Sequence, residues 1–474
     1  MTVIGLDDTD SRERGCCTTY VATLVAEAVA DAGGTVDRRL LVRLNPAVEH
    51  KTRGNAALAL HVDLPPDRAL ALASETVAEW AVVDDPNTAP GVVVAPGDAN
   101  DPTAVPDAVS TFAREAVRGH HALADAVALC DRAGYAHAGW AGGRGRIGAL
   151  AAVGAWRAFD EWTYERLSYR AFDRCGTPRE VDVDSVFAAA ESGYPRAWDT
   201  VDRETGEAVC VPNAPGPVLH GIRGDDPAVV REVADRIDAE PVDRAATFAT
   251  NQGTDVHVQP GRIPSVREGR SYRIDGAVAT DPETRRGGHV AFALREPTGT
   301  DAGSTVTCLA FAPTGRFRDR VRALRPGDRV TVVGEYDVPG GDRPTEAAAT
   351  TGVAAADAPA TSLETPAEST DATAPTAGDR LPGAVKLEKF AVRDLVRTEP
   401  AVPRCPDCGR SMESAGRRQG YRCRDCGTSA PGKVDRPVDR ELSPGWYEVP
   451  PSARRHVAKP LVRGGFDAPT HPER

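Results

Sequence analysis

The stretch GLDDTDSRERGCCTTY, Gly5–Tyr20, puts three carboxylates within four positions, at Asp7, Asp8 and Asp10. A glycine, two cysteines and two threonines follow. Acids gathered at the end of a strand can hold Mg²⁺, which in turn bridges nucleotide phosphates. A helix opening at Thr18 behind Gly15 offers its first amides to an anion. The hydroxyl of Thr18 or Thr19 then caps that helix, ligates the magnesium or accepts a phosphoryl group. A second glycine-rich stretch, GGRGRIG at Gly142–Gly148, is a candidate phosphate cradle through Gly142, Gly143, Arg144 and Gly145. It lacks the GK[ST] ending of a Walker A loop, so alone it is a weak signal. KTRGN, Lys51–Asn55, sets Lys51 and Arg53 beside a turn glycine, as a phosphate clamp or as plain loop decoration. Together these residues suit ATP chemistry with Mg²⁺.

A different chemistry stands near the other end. Cys405 and Cys408 form one CxxC pair, Cys423 and Cys426 another. That spacing predicts a zinc ribbon, a closed tetrahedron of four thiolates around a structural zinc, each knuckle followed by glycine. Cys130, Cys175, Cys210 and Cys308 show no ligand spacing and read as core.

The elements that must position these groups follow from periodicity. Strands are predicted at Thr2–Leu6, Val36–Arg43, Ala56–Val62 and Gly91–Ala95, with helices at Thr18–Ala32 and Pro66–Trp80. That is a βαββαβ opening, hence an α+β layer. Ala104–Gly134 reads as helix broken near Gly119. A second α+β unit extends to about residue 258, with a strand at Val218–Gly221, a helix at Asp226–Ile237 and a strand at Ala245–Thr250. Short strands then follow at Arg270–Val278, His289–Arg295, Ser304–Phe311 and Asp328–Tyr336, with a helix at Arg316–Leu324 before the last. Three strands, a helix and a strand is the order of an OB-fold lacking one strand. Ala384–Val392 supplies it, after a segment at about 340–383 rich in Ala, Thr, Pro and acids. That segment reads as a disordered insertion, or alternatively as a linker between domains.

The 474 residues carry a formal charge of -12, and only five lysines against many arginines. The texture is that of a salt-adapted, halophile-type protein, although a GC-rich coding sequence produces a similar bias. No stretch is apolar enough to span a bilayer and no export signal leads the chain, so a cytoplasmic protein is expected. Residues 402–463 hold thirteen basic side chains against seven acidic ones, leaving −18 on the rest. A basic end on an acidic protein is a footprint for a phosphate backbone. Arg417, Arg418, Arg422, Arg454, Arg455 and Lys459 are the candidates to grip RNA.

GLDDTDS, GCCTTY, KTRGN, GGRGRIGALAAVGA, GIRGDDP, TNQGTD, the two CxxC pairs and PPSARRHVAKPLVR stand in this order. The sequence thereby resembles the archaeal tRNA-isoleucine 2-agmatinylcytidine synthetases, the agmatidine synthetases, over nearly its whole length outside the insertion. The resemblance implies a multidomain α+β protein. Its parts would be a kinase-like domain (1–138), a ferredoxin-like domain (139–258), an OB-fold β-barrel (262–395), a zinc ribbon (400–430) and a basic C-terminal tail (431–474). It implies an ATP-dependent ligase that joins agmatine to C2 of the wobble cytidine of the isoleucine tRNA with a CAU anticodon, allowing AUA to be read. The C2 oxygen would be phosphorylated and then displaced, with Asp7, Asp8 and Asp10 on magnesium and Thr18 phosphorylated in the cycle. Cys16 and Cys17 would stand apart from that chemistry. The competing reading is a non-enzymatic nucleic-acid-binding protein built on the OB-fold and the ribbon.

Overall fold

Strand β1 (Thr2–Asp7, TVIGLD) is buried almost throughout and lies between β4 (Gly91–Pro96) and β3 (Ala56–Val62), antiparallel to both. A strand flanked on both sides and covered on both faces carries apolar residues without alternation. Helix α1 (Thr18–Asp31) returns the chain to β2 (Val36–Arg43), the neighbour of β3. Helix α2 (Pro66–Trp80), with proline in its first turn, leads to β4. The computed structural model describes every residue except 14, 49–50, 52–53, 102, 298–302 and 339–379. Arg53 and nearly all of the predicted disordered insertion therefore lie outside the described residues.

The predicted long helix is two, α3 (Asp107–Ala116) and α4 (Leu123–Ala133), followed by a short strand β5 (Ala136–Gly139) beside β4. Helix α5 (Arg146–Ala158) then packs across β1. A Cβ on Gly5 would lie 2.1 Å from the Ala149 carbonyl oxygen, so only glycine lets the helix approach so near.

The second unit contributes β6 (Thr163–Tyr169), α6 (Val183–Gly193), β7 (Ala197–Trp198), β8 (Val218–Gly224), α7 (Pro227–Asp235) and β9 (Arg244–Thr250). Asp182 and Asp226 cap the two helices through their side chains. The two units are not separate layers. Strand β9 runs parallel to β2, which makes one nine-stranded sheet in the order β5-β4-β1-β3-β2-β9-β6-β8-β7.

Beyond it, β10 (Val258–Gly261) leads into β11 (Arg270–Val278), β12 (Glu283–Thr284), β13 (Val290–Arg295), β14 (Thr305–Ala310), α8 (Phe317–Arg322), β15 (Arg329–Asp337) and β16 (Arg380–Asp394). Strand pairing closes a ring, β11-β13-β14-β16-β15 and back to β11, around Ile274, Phe292, Val306, Phe317 and Phe390. Residues 380–383, included in the predicted insertion, are the start of β16.

The predicted tail is part of the fold instead. Gly445–Glu448 pairs with β16, and Trp446, Val449, Val457 and Leu461 are buried. No helix among the described residues is long and apolar enough to cross a membrane.

Candidate active site

The end of β1 meets the start of α5, and both carboxylates of the Asp-Asp pair are taken into that contact. Asp7 Oδ1 accepts the Asp8 amide at 2.7 Å. A Cβ on Gly148 would stand 1.9 Å from Asp7 Oδ2, and one on Gly145 2.5 Å from the Asp7 carbonyl oxygen. Two glycines of GGRGRIG thus serve close packing on β1. Asp8 adopts a left-handed backbone (φ 62°). Its Oδ2 accepts Arg144 Nη2 at 2.9 Å and the Ala89 amide at 3.2 Å.

Burial drives the Asp7 pKa well above the ordinary carboxylate value, and the charge of Asp8 adds to it. Burial also lifts Asp8 to about 6, against the opposing pull of Arg144. Asp10 is half-buried, and its charge raises both neighbours. Asp7 and Asp8 are buried carboxylates side by side with Asp10 close behind, and a divalent cation suits such a donor set.

Residues Ala141, Gly142 and Gly143 take three successive positive φ values, 47°, 90° and 64°, which turns the loop over the strand ends. Arg144 leaves this loop to reach Asp8 and the Asn87 carbonyl. Its nearest role is thus to hold Asp8.

Thr18 is the first residue of α1. The N-cap is Cys17, which makes no side-chain cap, so neither threonine caps the helix. Thr18 Oγ1 instead accepts the Thr9 hydroxyl at 3.1 Å and the Thr9 amide at 3.5 Å, which ties it to the acid-bearing loop. Thr19 turns toward Tyr169 and lies 3.0 Å from Cys17 Sγ. Cys17 thus touches Thr19 and directly precedes Thr18. Gly15 (φ 87°) and Cys16 (φ 61°) close the loop, and the Ser11 amide donates to the Gly15 carbonyl at 3.0 Å. Lys51 contacts the Pro46 carbonyl, and its charge is felt at Glu335 and His456, on the side facing the barrel.

A second polar centre escaped the sequence reading. Arg43, at the end of β2, donates to Glu165 at 3.1 Å, and Arg223 donates to the other oxygen of Glu165 at 3.3 Å. Two motifs carried the signal, GIRGDDP with Arg223 and TNQGTD with Asn251 and Gln252. Spacing alone gave neither a partner.

In the ribbon the Sγ atoms of Cys405, Cys408, Cys423 and Cys426 all lie within 4.8 Å of one another. Gly409 and Gly427 (φ 73° each) donate to the carbonyls of Cys405 and Cys423. Four thiolates at this separation fit one zinc with Zn–S bonds of about 2.3 Å. Cys130, Cys210 and Cys308 are buried, whereas Cys175 is half-buried.

The six expected RNA-gripping residues divide. Arg417, Arg418 and Arg422 are exposed on the ribbon. Arg454 is buried between Asp199 (2.9 Å) and Glu448, and Arg455 between Glu335 (3.0 Å) and Glu388. Those two guanidiniums are spent inside the fold, which corrects their expected role at a phosphate backbone. Lys459 keeps partial exposure, 3.4 Å from Glu161.

Comparison with known proteins places this geometry. Residues 3–142 match the model of the TiaS TCKD domain, 143–257 that of the TiaS FLD domain, and 402–442 that of the TiaS C-terminal zinc ribbon domain. The tRNA-isoleucine 2-agmatinylcytidine synthetase TiaS of Haloquadratum walsbyi is 52% identical, with both chains covered completely. The chain belongs to the TiaS family. The TiaS of Methanosarcina mazei is 41% identical over 97% of each chain. Among solved structures, a complex of TiaS with its isoleucine tRNA and ATP matches with a TM-score of 0.80 at 36% identity, covering 100% of this chain and 99% of that one. A complex of TiaS with the same tRNA, AMPCPP and agmatine matches at 0.77 and 34%, with the same coverage. The boundary between the first two TiaS domains, at 142/143, falls inside the glycine-rich loop that packs on Asp7 and Asp8.

Proposed function

We propose that this protein is an ATP-dependent ligase that joins agmatine to C2 of the wobble cytidine of the isoleucine tRNA with a CAU anticodon. The observation that carries the reading is the buried Asp7–Asp8 pair, set against Thr18 and the glycine loop. It lies in a chain that matches, from end to end, TiaS bound to its isoleucine tRNA and ATP.

A carbonyl oxygen is a poor leaving group, so an amine does not displace it directly; phosphorylation makes it a good one. Asp7, Asp8 and Asp10 are the residues that would hold Mg²⁺, which when bound neutralises phosphate charge. Arg144 keeps Asp8 oriented. Thr9 presents the Thr18 oxygen, and Thr18 accepts a phosphoryl group during the cycle. Gly15, Thr19, Gly142, Gly143 and Gly145 shape the backbone around the phosphates, and Lys51 flanks the approach. The closed ring of five strands, with α8 between the third and fourth, supports an OB-fold. The first unit reads as kinase-like and the second as ferredoxin-like. The exposed ribbon arginines and Lys459 grip the RNA, with zinc holding the ribbon's shape.

The test is to supply ATP, labelled agmatine and this isoleucine tRNA and to compare the wild-type protein with Asp8→Asn. Label is expected on the tRNA with the wild type and not with the variant. Full labelling by Asp8→Asn would remove the metal role.

A further inference from the structure

Gly54 and the motifs GIRGDDP and TNQGTD converge on Arg43. Asn251 clasps its backbone in both directions, Oδ1 accepting the Arg43 amide at 2.7 Å and Nδ2 donating to its carbonyl at 3.0 Å. Gln252 Oε1 accepts Nε at 2.9 Å. A Cβ on Gly54 would lie 3.2 Å from Nη1, so glycine there leaves that nitrogen clear. Glu165 takes Nη2 and, on its other oxygen, Nε of Arg223.

Such fixing exceeds what one internal ion pair requires. It also leaves donors over. Two guanidiniums hydrogen-bond one carboxylate, and the charge of Arg223 is felt at Asp199 as well. Among the described residues, Arg43 Nη1 and both terminal nitrogens of Arg223 donate to nothing. The arginine side chains keep 16% and 11% of their exposure, while Glu165 keeps 4%, so solvent reaches the donors and not the acceptor. Planar guanidinium donors left open to solvent match the oxygens of a polyphosphate. Arg43 also lies within electrostatic reach of Cys17, the residue before Thr18, which sets the pair on the side of the α1 start toward β2 and β6.

The geometry points to Arg43 and Arg223 as a clamp for the phosphate tail of ATP, contributed from either side of the 142/143 boundary. Glu165, Asn251 and Gln252 are its positioning residues. The inference rests on the ATP-dependent reading above and names the residues that hold what the aspartates do not.

Calorimetric titration of the full-length protein with ATP, and separately with inorganic diphosphate, both without tRNA, tests it. The variants are Arg223→Gln/Glu165→Gln, which removes one charge of each sign and so keeps the local balance, and Arg43→Lys, which keeps the charge and loses the fork. Both are expected to weaken diphosphate and ATP binding about tenfold or more, with tRNA affinity within about twofold of wild type. Unchanged diphosphate affinity in a cooperatively folded double variant overturns the clamp, as does loss of tRNA affinity with ATP binding intact. If the double variant does not fold, Arg43→Lys decides by the same criteria. A wild type that binds neither ATP nor diphosphate overturns the proposed function, and the clamp with it. A wild type that binds ATP while the variants match it overturns the clamp alone.

Discussion

At the scale of single residues, the proposed chemistry rests on two adjacent buried carboxylates. Asp7 and Asp8 are both held in the fold with raised pKa values, and Arg144 faces them. Asp8→Asn keeps the shape and removes the charge. ATP consumption is expected to fall about a thousandfold, on the scale of removing one preorganised electrostatic partner, while tRNA binding persists. Thr18 gives a separate test. Its oxygen is tethered by Thr9 and makes no cap, so Thr18→Ala is expected to leave helix stability nearly unchanged. Agmatine attachment should fall at least tenfold with tRNA affinity unchanged. A Thr18→Ala protein that modifies tRNA at the wild-type rate would return Thr18 to a packing role.

At the scale of elements, what was legible in the sequence depended on how local the signal was. Val36–Arg43, Ala56–Val62, Pro66–Trp80 and Arg270–Val278 were predicted residue for residue, because strong periodicity and end signals bound them. Strands β5, β6 and β7 and helix α6 were missed, being short or weakly patterned. The single sheet uniting the first two units was also invisible, since it depends on β2 meeting β9 across two hundred residues. The same limit applies to charge. Arg454 and Arg455 look like RNA contacts in a basic stretch, yet their carboxylates come from as far as Asp199 and Glu335. Within the site, the acids and Thr18 were readable as a contiguous motif. The Arg43–Glu165–Arg223 centre was not, because its members lie on three strands.

Two expectations belong to the ribbon and its neighbours. Zinc removal by a chelator should make Cys405, Cys408, Cys423 and Cys426 reactive toward a thiol reagent, because the ribbon has little core besides Met412 and Tyr421 to hold it. Replacing Arg417, Arg418 and Arg422 by alanine should weaken tRNA binding and flatten its salt dependence, by about 0.7–0.9 in slope for each phosphate no longer neutralised. An unchanged slope would move the RNA surface elsewhere.

Over the whole molecule, stability is tied to buried ionisable groups that join distant parts. Arg454 links Asp199 of the nine-stranded sheet's unit to Glu448 beside the barrel. Arg454→Ala strands two buried carboxylates and should cost about 3–5 kcal/mol, read from denaturant unfolding. Histidines set the response to acid. Burial pushes His61, His220 and His257 each down to about 4. The unfolded chain then binds more protons between about pH 4 and 6.5, so stability is complete above that window and falls as the pH drops through it. Each histidine accounts for about 3 kcal/mol at the low end. His220→Gln should flatten the fall, and an identical pH profile would show that His220 is charged in the fold. The Arg454 link ties the nine-stranded sheet's unit to the barrel.

The central claim is that ATP activates the wobble cytidine for attack by agmatine at this site. Nucleoside mass spectrometry of the isoleucine tRNA, after incubation with the protein, agmatine and ATP, tests it most directly. The account predicts that the mass of one nucleoside, at the wobble position, rises by agmatine less water, only when ATP is present and only with Asp8 intact. An unmodified cytidine after complete ATP turnover, or the same product without ATP, would contradict it.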